Sequence, residues 1–287
     1  MFVCKKIYIK FYRHMKNIKY SVLMSVYYAE SASYFENSID SMLNQTVCTD
    51  DFVIVCDGSL TDELNNIINK KIKQNPNLFN IVRLPINSGL GKALNIGLKY
   101  CRNELIARMD SDDLSLPDRC EKQLEIFDNY SNVDIVSGIV REFDGESSNV
   151  IGERIVPEFN DEILRYAKFR CPFNHPCVMY KKTSVEQSGG YQDFYKLEDY
   201  YLWIRMLVHG FVGYNIQKPL LLMRGGDGLY KRRGGLRYAV SQFRLVEYMH
   251  HIGFIGYIEF IVAVLLRGGA AICPAVIRKT SYKILFR

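Results

Sequence analysis

Cysteine pairs at metal-ribbon spacing are missing from this 287-residue chain: its eight cysteines, at 4, 48, 56, 101, 120, 171, 177 and 273, form no CxxC. A zinc ribbon is thereby excluded, and eight cysteines over this length do not make a disulfide scaffold, so reduced thiols are expected. The N-terminal twenty residues contain no acidic side chain and no apolar stretch unbroken by lysine, which rules out the pattern of a secretory signal. No apolar run has the roughly 20 uncharged residues of a membrane span. The strongest run, Ile252–Leu266, has 15 residues with Glu259 in its middle. It reads as a helix packed on the domain or as one lying in a membrane interface. At 48% hydrophobic and 24% charged residues the composition is that of a folded protein, not a disordered or fibrous one.

What charge there is has a polarity. Residues 1–20 carry six basic side chains, residues 228–287 carry ten basic and two acidic ones, and residues 21–227 hold 21 basic against 29 acidic. An acidic body with basic ends does not suit a nucleic-acid binder, whose basic patch belongs on the folded body. Basic ends beside apolar sequence suit anionic head groups or phosphate-bearing substrates.

Along the chain, short apolar runs alternate with helical periodicity. Strands are predicted at Tyr20–Tyr27, Phe52–Cys56, Asn80–Leu84 and Glu104–Met109, with a further candidate at Val133–Val140. Helices are predicted over 29–43, 61–72, 92–100 and 117–130. This alternation predicts a parallel sheet with ligands beyond the carboxyl ends of its strands. Asp57 and Asp110–Asp113 fall at such ends.

Two acidic clusters have chemistry to offer. Asp110 and Asp112 stand two apart after a strand, where an extended backbone projects both to one side. A pair of hard oxygen donors suits magnesium or manganese, although an acidic turn is also a common solvated feature. Glu198-Asp199 opens a predicted helix rich in Tyr200, Tyr201 and Trp203, the chain's one tryptophan. Acidic residues there either complement the helix dipole or, partly desolvated by the aromatics, serve as a general base. A third segment, Arg224–Gly235, is glycine-rich and cationic. Its Arg232 and Arg233 are candidates to close over a diphosphate.

In order, these pieces resemble a family-2 glycosyltransferase of the GT-A fold. Ser21–Tyr27 resembles the family's opening strand, with Ser25 in place of the usual proline. Asp51–Asp62 resembles the strand ending in Asp-Asp-Gly-Ser-x-Thr-Asp, with Cys56 for the first Asp. Asn87–Gly97 resembles the Asn-x-Gly-x-x-x-Ala-x-Asn-x-Gly stretch, Asp110-Ser111-Asp112 the DXD element, and Glu198-Asp199 the catalytic Glu-Asp motif. The resemblance covers residues 20–205. It implies an α/β chain with a mostly parallel central sheet and a C-terminal helical, membrane-associated extension. The expected division is 1–19 basic extension, 20–235 transferase domain (a nucleotide-sugar half at 20–115, an acceptor half at 116–235), and 236–287 helical extension.

By the same resemblance Tyr27, Glu30 and Asp57 line the nucleotide-base pocket, and Gly89, Lys92 and Ser111 join the nucleotide-sugar site. Asp110 sits near the ribose and Asp112, with Asp110, on a divalent manganese or magnesium ion. Asp199 is the base, with Glu198 beside it. His175, of an Asn-His-Pro turn, and Trp203 are placed at the acceptor, a structural turn at His175 being the other reading. Gly189-Gly190-Tyr191 reads as a flexible loop feeding the Glu-Asp helix. The implied activity is inverting transfer of a hexose from a nucleotide sugar, with UDP foremost, to a lipid-linked saccharide in bacterial O-antigen or exopolysaccharide synthesis. The implied location is the inner face of the cytoplasmic membrane, peripherally bound to an anionic surface. Alternatives are a sugar nucleotidyltransferase, disfavoured because Tyr27–Glu30 is not a glycine-rich cationic loop, and a non-catalytic sugar-nucleotide-binding protein.

Overall fold

The computed structural model describes residues 18–225 and 235–272. Alternation of apolar runs and amphipathic helices yields one mixed sheet with helices on both faces. The chain runs β1 (Tyr20–Val26), α1 (Ala32–Leu43), β2 (Asp51–Cys56), α2 (Asp62–Gln74), β3 (Phe79–Arg83), α3 (Leu90–Tyr100) and β4 (Leu105–Asp110). It continues with β5 (Leu114–Ser115), α4 (Arg119–Asn129), β6 (Val133–Phe143), β7 (Val150–Arg154) and α5 (Asn160–Tyr166). Then come β8 (Met179–Lys181), α6 (Lys182–Gln187), α7 (Glu198–Val208), β9 (Val212–Arg224), α8 (Leu236–His251) and α9 (Tyr257–Ile272).

The strand order is β3-β2-β1-β4-β8-β6-β9-β5, with β7 on β6. The first four strands are parallel, as the sequence predicts; β8 then pairs antiparallel with both β4 and β6, and β6 and β9 are parallel. The alternation of strand and helix lapses after β4, so the second half has local antiparallel pairings open to it that the first half lacks.

Side-chain period decides which face each residue serves. In β2, Phe52, Ile54 and Cys56 enter the core under α1, α2 and α4, whereas Val53 and Val55 enter the core under α3 and α7. Cys56, which replaces an aspartate of the family pattern, is thus a core thiol, and burial raises its pKa. All six cysteines among the described residues are free.

Helices α8 and α9 share the core of α7: Tyr238, Leu245, Met249 and Ala263 are buried in one cluster with Tyr200 and Trp203. The other face of α9 is left apolar and exposed, with Ile258 at 77% and Leu265 at 69% exposure. The stretch thus packs on the domain, one of the two readings of the sequence, and also presents an exposed apolar stripe. No helix among the described residues is long and apolar enough to cross a membrane.

Gly97, the last glycine of the Asn87–Gly97 motif, marks where α3 lies closest to the sheet. A Cβ there would stand 2.5 Å from Val55 Cγ2 and 2.6 Å from Leu23 Cδ1. Both side chains are fixed by strand backbone, so an added methyl has nowhere to go. Gly97→Ala is expected to lower the unfolding free energy by about 1–3 kcal/mol in a urea titration.

Candidate active site

Three strand ends define one edge of the site. Val26 is in register with Cys56, and Ser25 with Asp110. The residues that follow β1 and β2 and the last residue of β4 therefore stand side by side. They open onto a cleft of ≈ 820 Å³ whose walls include Tyr27, Glu30, Asp57, Gly89, Asp110, Ser111, Asp112, His175 and Asp199.

At the first end, Asp57 is buried and organises the loop before α3. One carboxylate oxygen accepts the Ser88 amide at 2.6 Å and the other accepts the Gly89 amide at 3.0 Å. Gly58 is required here, because its φ is +88° and a Cβ would lie 2.8 Å from the Asn87 nitrogen. Glu30 accepts the Ser31 amide at 2.8 Å and the Ser111 hydroxyl at 2.6 Å, which ties the loop after β1 to the acidic turn. Tyr27 is 43% exposed and stands edge-to-face with Tyr28, their ring centroids 5.7 Å apart.

The acidic turn is built differently from the pattern argument. Asp110 is the last residue of β4, and the chain turns at Ser111 and Asp112. The turn, rather than strand alternation, gathers Asp110, Asp112 and Asp113 so that one carboxylate oxygen of each lies within 4.8 Å of the others. Asp113 had no assigned role in the sequence. It is 2% exposed and accepts the Arg224 amide at 2.7 Å through Oδ1, while Oδ2 finds no partner among the described residues. Burial, then Asp112 and Asp110, push its carboxyl well above the usual range. Three convergent carboxylates with an unsatisfied buried oxygen are a donor set that fits a hard divalent cation.

Two arginines offset this charge. Arg108 of β4 is fully buried and pairs with Asp110 Oδ1. Arg224 of β9 donates through Nε to the Asp112 carbonyl at 3.2 Å and stacks its guanidinium on Tyr34, 3.5 Å from the ring centroid. Position gave the clue to Arg108: it is the only charge inside the otherwise apolar Leu105–Met109 strand, and such a charge needs a buried partner.

At the second end, α7 presents Asp199 to the cleft. Asp199 Oδ1 caps the Tyr200 amide at 2.7 Å, and Cys171 Sγ lies 3.9 Å from Oδ2. Glu198 turns the other way, toward α3, where a Cβ on Gly91 would come within 3.3 Å of its own Cβ. Burial, followed by the charge of Asp199, raises the Glu198 carboxyl to about 7.

The loop Gly189-Gly190-Tyr191 is held rather than loose. The Tyr191 amide donates to Asn95 Oδ1 at 3.1 Å, and Arg205 donates to the Gly190 carbonyl at 2.7 Å. His175 is buried in a short 3-10 turn, with Nε2 3.0 Å from the Tyr191 hydroxyl and its ring edge-on to Trp203. Burial, then Arg108, hold its pKa well below the ordinary value, so the ring is neutral.

Two expected site residues stand elsewhere. Trp203 is fully buried among Phe173, His175, Tyr180 and Tyr191 and supports the cleft floor without reaching its surface. Residue 203 shares a helical face with Asp199 but lies one turn deeper along α7, in the stretch Leu202–Leu207 that is buried throughout. Lys92 is exposed on the first turn of α3, away from the cleft walls. Arg232 and Arg233 lie outside the described residues.

A single mixed sheet with an acidic turn at the end of its fourth strand, facing a helix-borne aspartate across one cleft, defines the class: a glycosyltransferase of the GT-A architecture. Residues 21–189 match the family model "Glycosyl transferase family 2", and the chain belongs to that family. Over 269 residues it is 36% identical to the Escherichia coli UDP-Gal:alpha-D-GlcNAc-diphosphoundecaprenol beta-1,3-galactosyltransferase, covering 94% of this chain and 97% of that one. It is 34% identical over 254 residues to the amylovoran biosynthesis glycosyltransferase AmsE of Erwinia amylovora, covering 86% and 93%. Its fold also matches the mannosyltransferase PcManGT of Pyrobaculum calidifontis, solved with GDP-Man and Mn2+. There the TM-score is 0.66 at 16% identity, over 95% of this chain and 77% of that one. The nucleotidyltransferase alternative gives way to this family.

Glu198 sets a measurable pH dependence. Its raised pKa means that folding favours the protonated carboxyl, so its contribution to stability declines as pH rises from the ordinary 4.5 to about 7. In Glu198→Gln that decline is removed. The stability of the variant relative to wild type should climb across this window in denaturant titrations and be level above it.

Proposed function

We propose that the protein transfers a hexose from a UDP-sugar to a lipid-linked saccharide, with inversion at the anomeric carbon, in assembly of a bacterial surface polysaccharide. The observation that carries this reading is the shared cleft: Asp57 and Tyr27 at one end, the acidic turn in the middle, Asp199 at the other. The relatives act in such pathways by name, one of them on a diphosphoundecaprenol-linked sugar.

Each residue then has a task. Tyr27 and the loop shaped by Asp57 receive the base, and Glu30 with Ser111 fixes the approach to the ribose. Asp110, Asp112 and Asp113 would hold a manganese or magnesium ion, which supplies neutralising charge for the departing nucleoside diphosphate. Asp199 accepts the proton of the acceptor hydroxyl as its oxygen attacks the anomeric carbon from the face opposite the diphosphate. Glu198, held near neutrality of charge by burial, limits the negative potential beside Asp199. His175 is neutral and shapes the acceptor wall through Tyr191. The apolar stripe on α9, in a chain whose ends are basic, suits peripheral attachment to an anionic membrane, where a lipid-linked acceptor resides.

A screen of UDP- and GDP-hexoses with manganese, read as released nucleotide, identifies the donor. With that donor, Asp199→Asn should reduce kcat by roughly 10²–10⁴-fold while leaving donor affinity near wild type. Undiminished turnover would remove Asp199 from the reaction.

A further inference from the structure

Beside the cleft lies a second cavity that the transfer chemistry does not use. It is a groove of ≈ 260 Å³ between α8 and α9, walled by Val240, Phe243, Val246 and Val264. Gln242 and Arg267 belong to both cavities, so the groove and the cleft meet at these two residues. The groove also opens among the exposed apolar residues of the two helices: Val240 and Phe243 are each more than two-fifths exposed. The Gln242–Arg267 pair is thus the wall shared by the cleft and by a groove that opens at the apolar stripe.

The junction carries an unusual charge. Arg267 is buried, with 8% of its surface exposed. Its Nε donates to Gln242 Oε1 at 2.6 Å and its guanidinium stacks on the Tyr200 ring at 4.6 Å. Its Nη1 is buried without a hydrogen-bond partner among the described residues. A buried guanidinium left with an unmet donor is costly unless something anionic completes it. Tyr200, on which it rests, follows Asp199 directly in α7.

We propose that this junction and groove form the site for the acceptor's carrier: Arg267 receives the diphosphate and the α8–α9 groove receives the first carbons of its long apolar chain. The inference rests on the lipid-linked acceptor reading above and adds the segment of the protein that recognises the lipid. The sequence of contacts follows the order of groups in such a molecule. Its sugar hydroxyl stands at Asp199, its diphosphate at Arg267 over Tyr200, and its chain in the groove that leads to the membrane-facing stripe. Arginine suits the middle group because its planar fork pairs with phosphate oxygens. An apolar groove suits the last because each buried methylene contributes favourably.

The test is direct binding to the full-length protein of farnesyl diphosphate, compared with inorganic diphosphate and with farnesol, by calorimetry below the aggregation range of the lipid. Farnesyl diphosphate should bind on the order of tenfold or more tightly than inorganic diphosphate. The double variant V240E/F243E changes two already exposed positions. It should erase that advantage while leaving the inorganic diphosphate affinity in place. Arg267→Gln should weaken both diphosphates alike, and Arg267→Lys, which keeps the charge, should recover part of the loss. Circular dichroism melts confirm that each variant folds.

An advantage for the prenylated ligand that survives V240E/F243E overturns the groove. So does farnesol binding as well as farnesyl diphosphate, which would mark a general bilayer contact, or no advantage at all, as expected if residues 273–287 fill the groove. Failure of the wider reading shows separately, as nucleotide release without transfer to any prenyl-diphosphate-linked sugar.

Discussion

The pairing of Arg108 with Asp110 under the acidic turn is the constraint on which the cleft depends. Three carboxylates brought within 4.8 Å repel one another, and one of them, Asp113, is sealed from water. A fully buried guanidinium placed directly beneath them, together with Arg224 across the turn, lets the cluster exist in a folded chain. Breaking such a buried pair from one side costs about 3–5 kcal/mol, because it strands the remaining charge. With burial, the same guanidinium depresses the basicity of His175, so one buried cation acts on both the acidic turn and the 3-10 turn.

The cleft carries charge of both signs. Carboxylates dominate from Glu30 and Asp57 through the turn, where a cation bridging them to a diphosphate would reverse the local field. The lining also carries basic side chains, among them Arg170 and Lys196 from loops and Arg267 from α9. A second anionic group can therefore be tolerated there while the first occupies the turn.

Much of this was legible in the chain. The first four strands, the glycine-bearing turns and the positions of Asp57, Asp110, Asp112 and Asp199 follow from periodicity, turn chemistry and the family pattern. Asp113 and Arg108 were harder, because their roles come from burial, and a single sequence reveals a buried charge only as an anomaly inside an apolar strand. Trp203 was drawn to the acceptor by its nearness to Asp199 in sequence, whereas it lies one turn deeper along α7, where the helix is buried on all sides. The part played by α8 and α9 was hidden for a different reason. Contacts between Arg267, Gln242 and Tyr200 join residues far apart in the chain, and no spacing rule reports them.

Helix α3 joins the loop held by Asp57 to the residues that flank the start of α7. Its leading loop is gripped by Asp57, its Asn95 holds Tyr191, and its Gly91 abuts Glu198. The helix thereby acts as a gauge bar set between two jaws. Any lengthening or tilt of residues 90–100 would alter the span available to a sugar, so drift toward larger or smaller donors is constrained by the bar's length before any wall residue is changed.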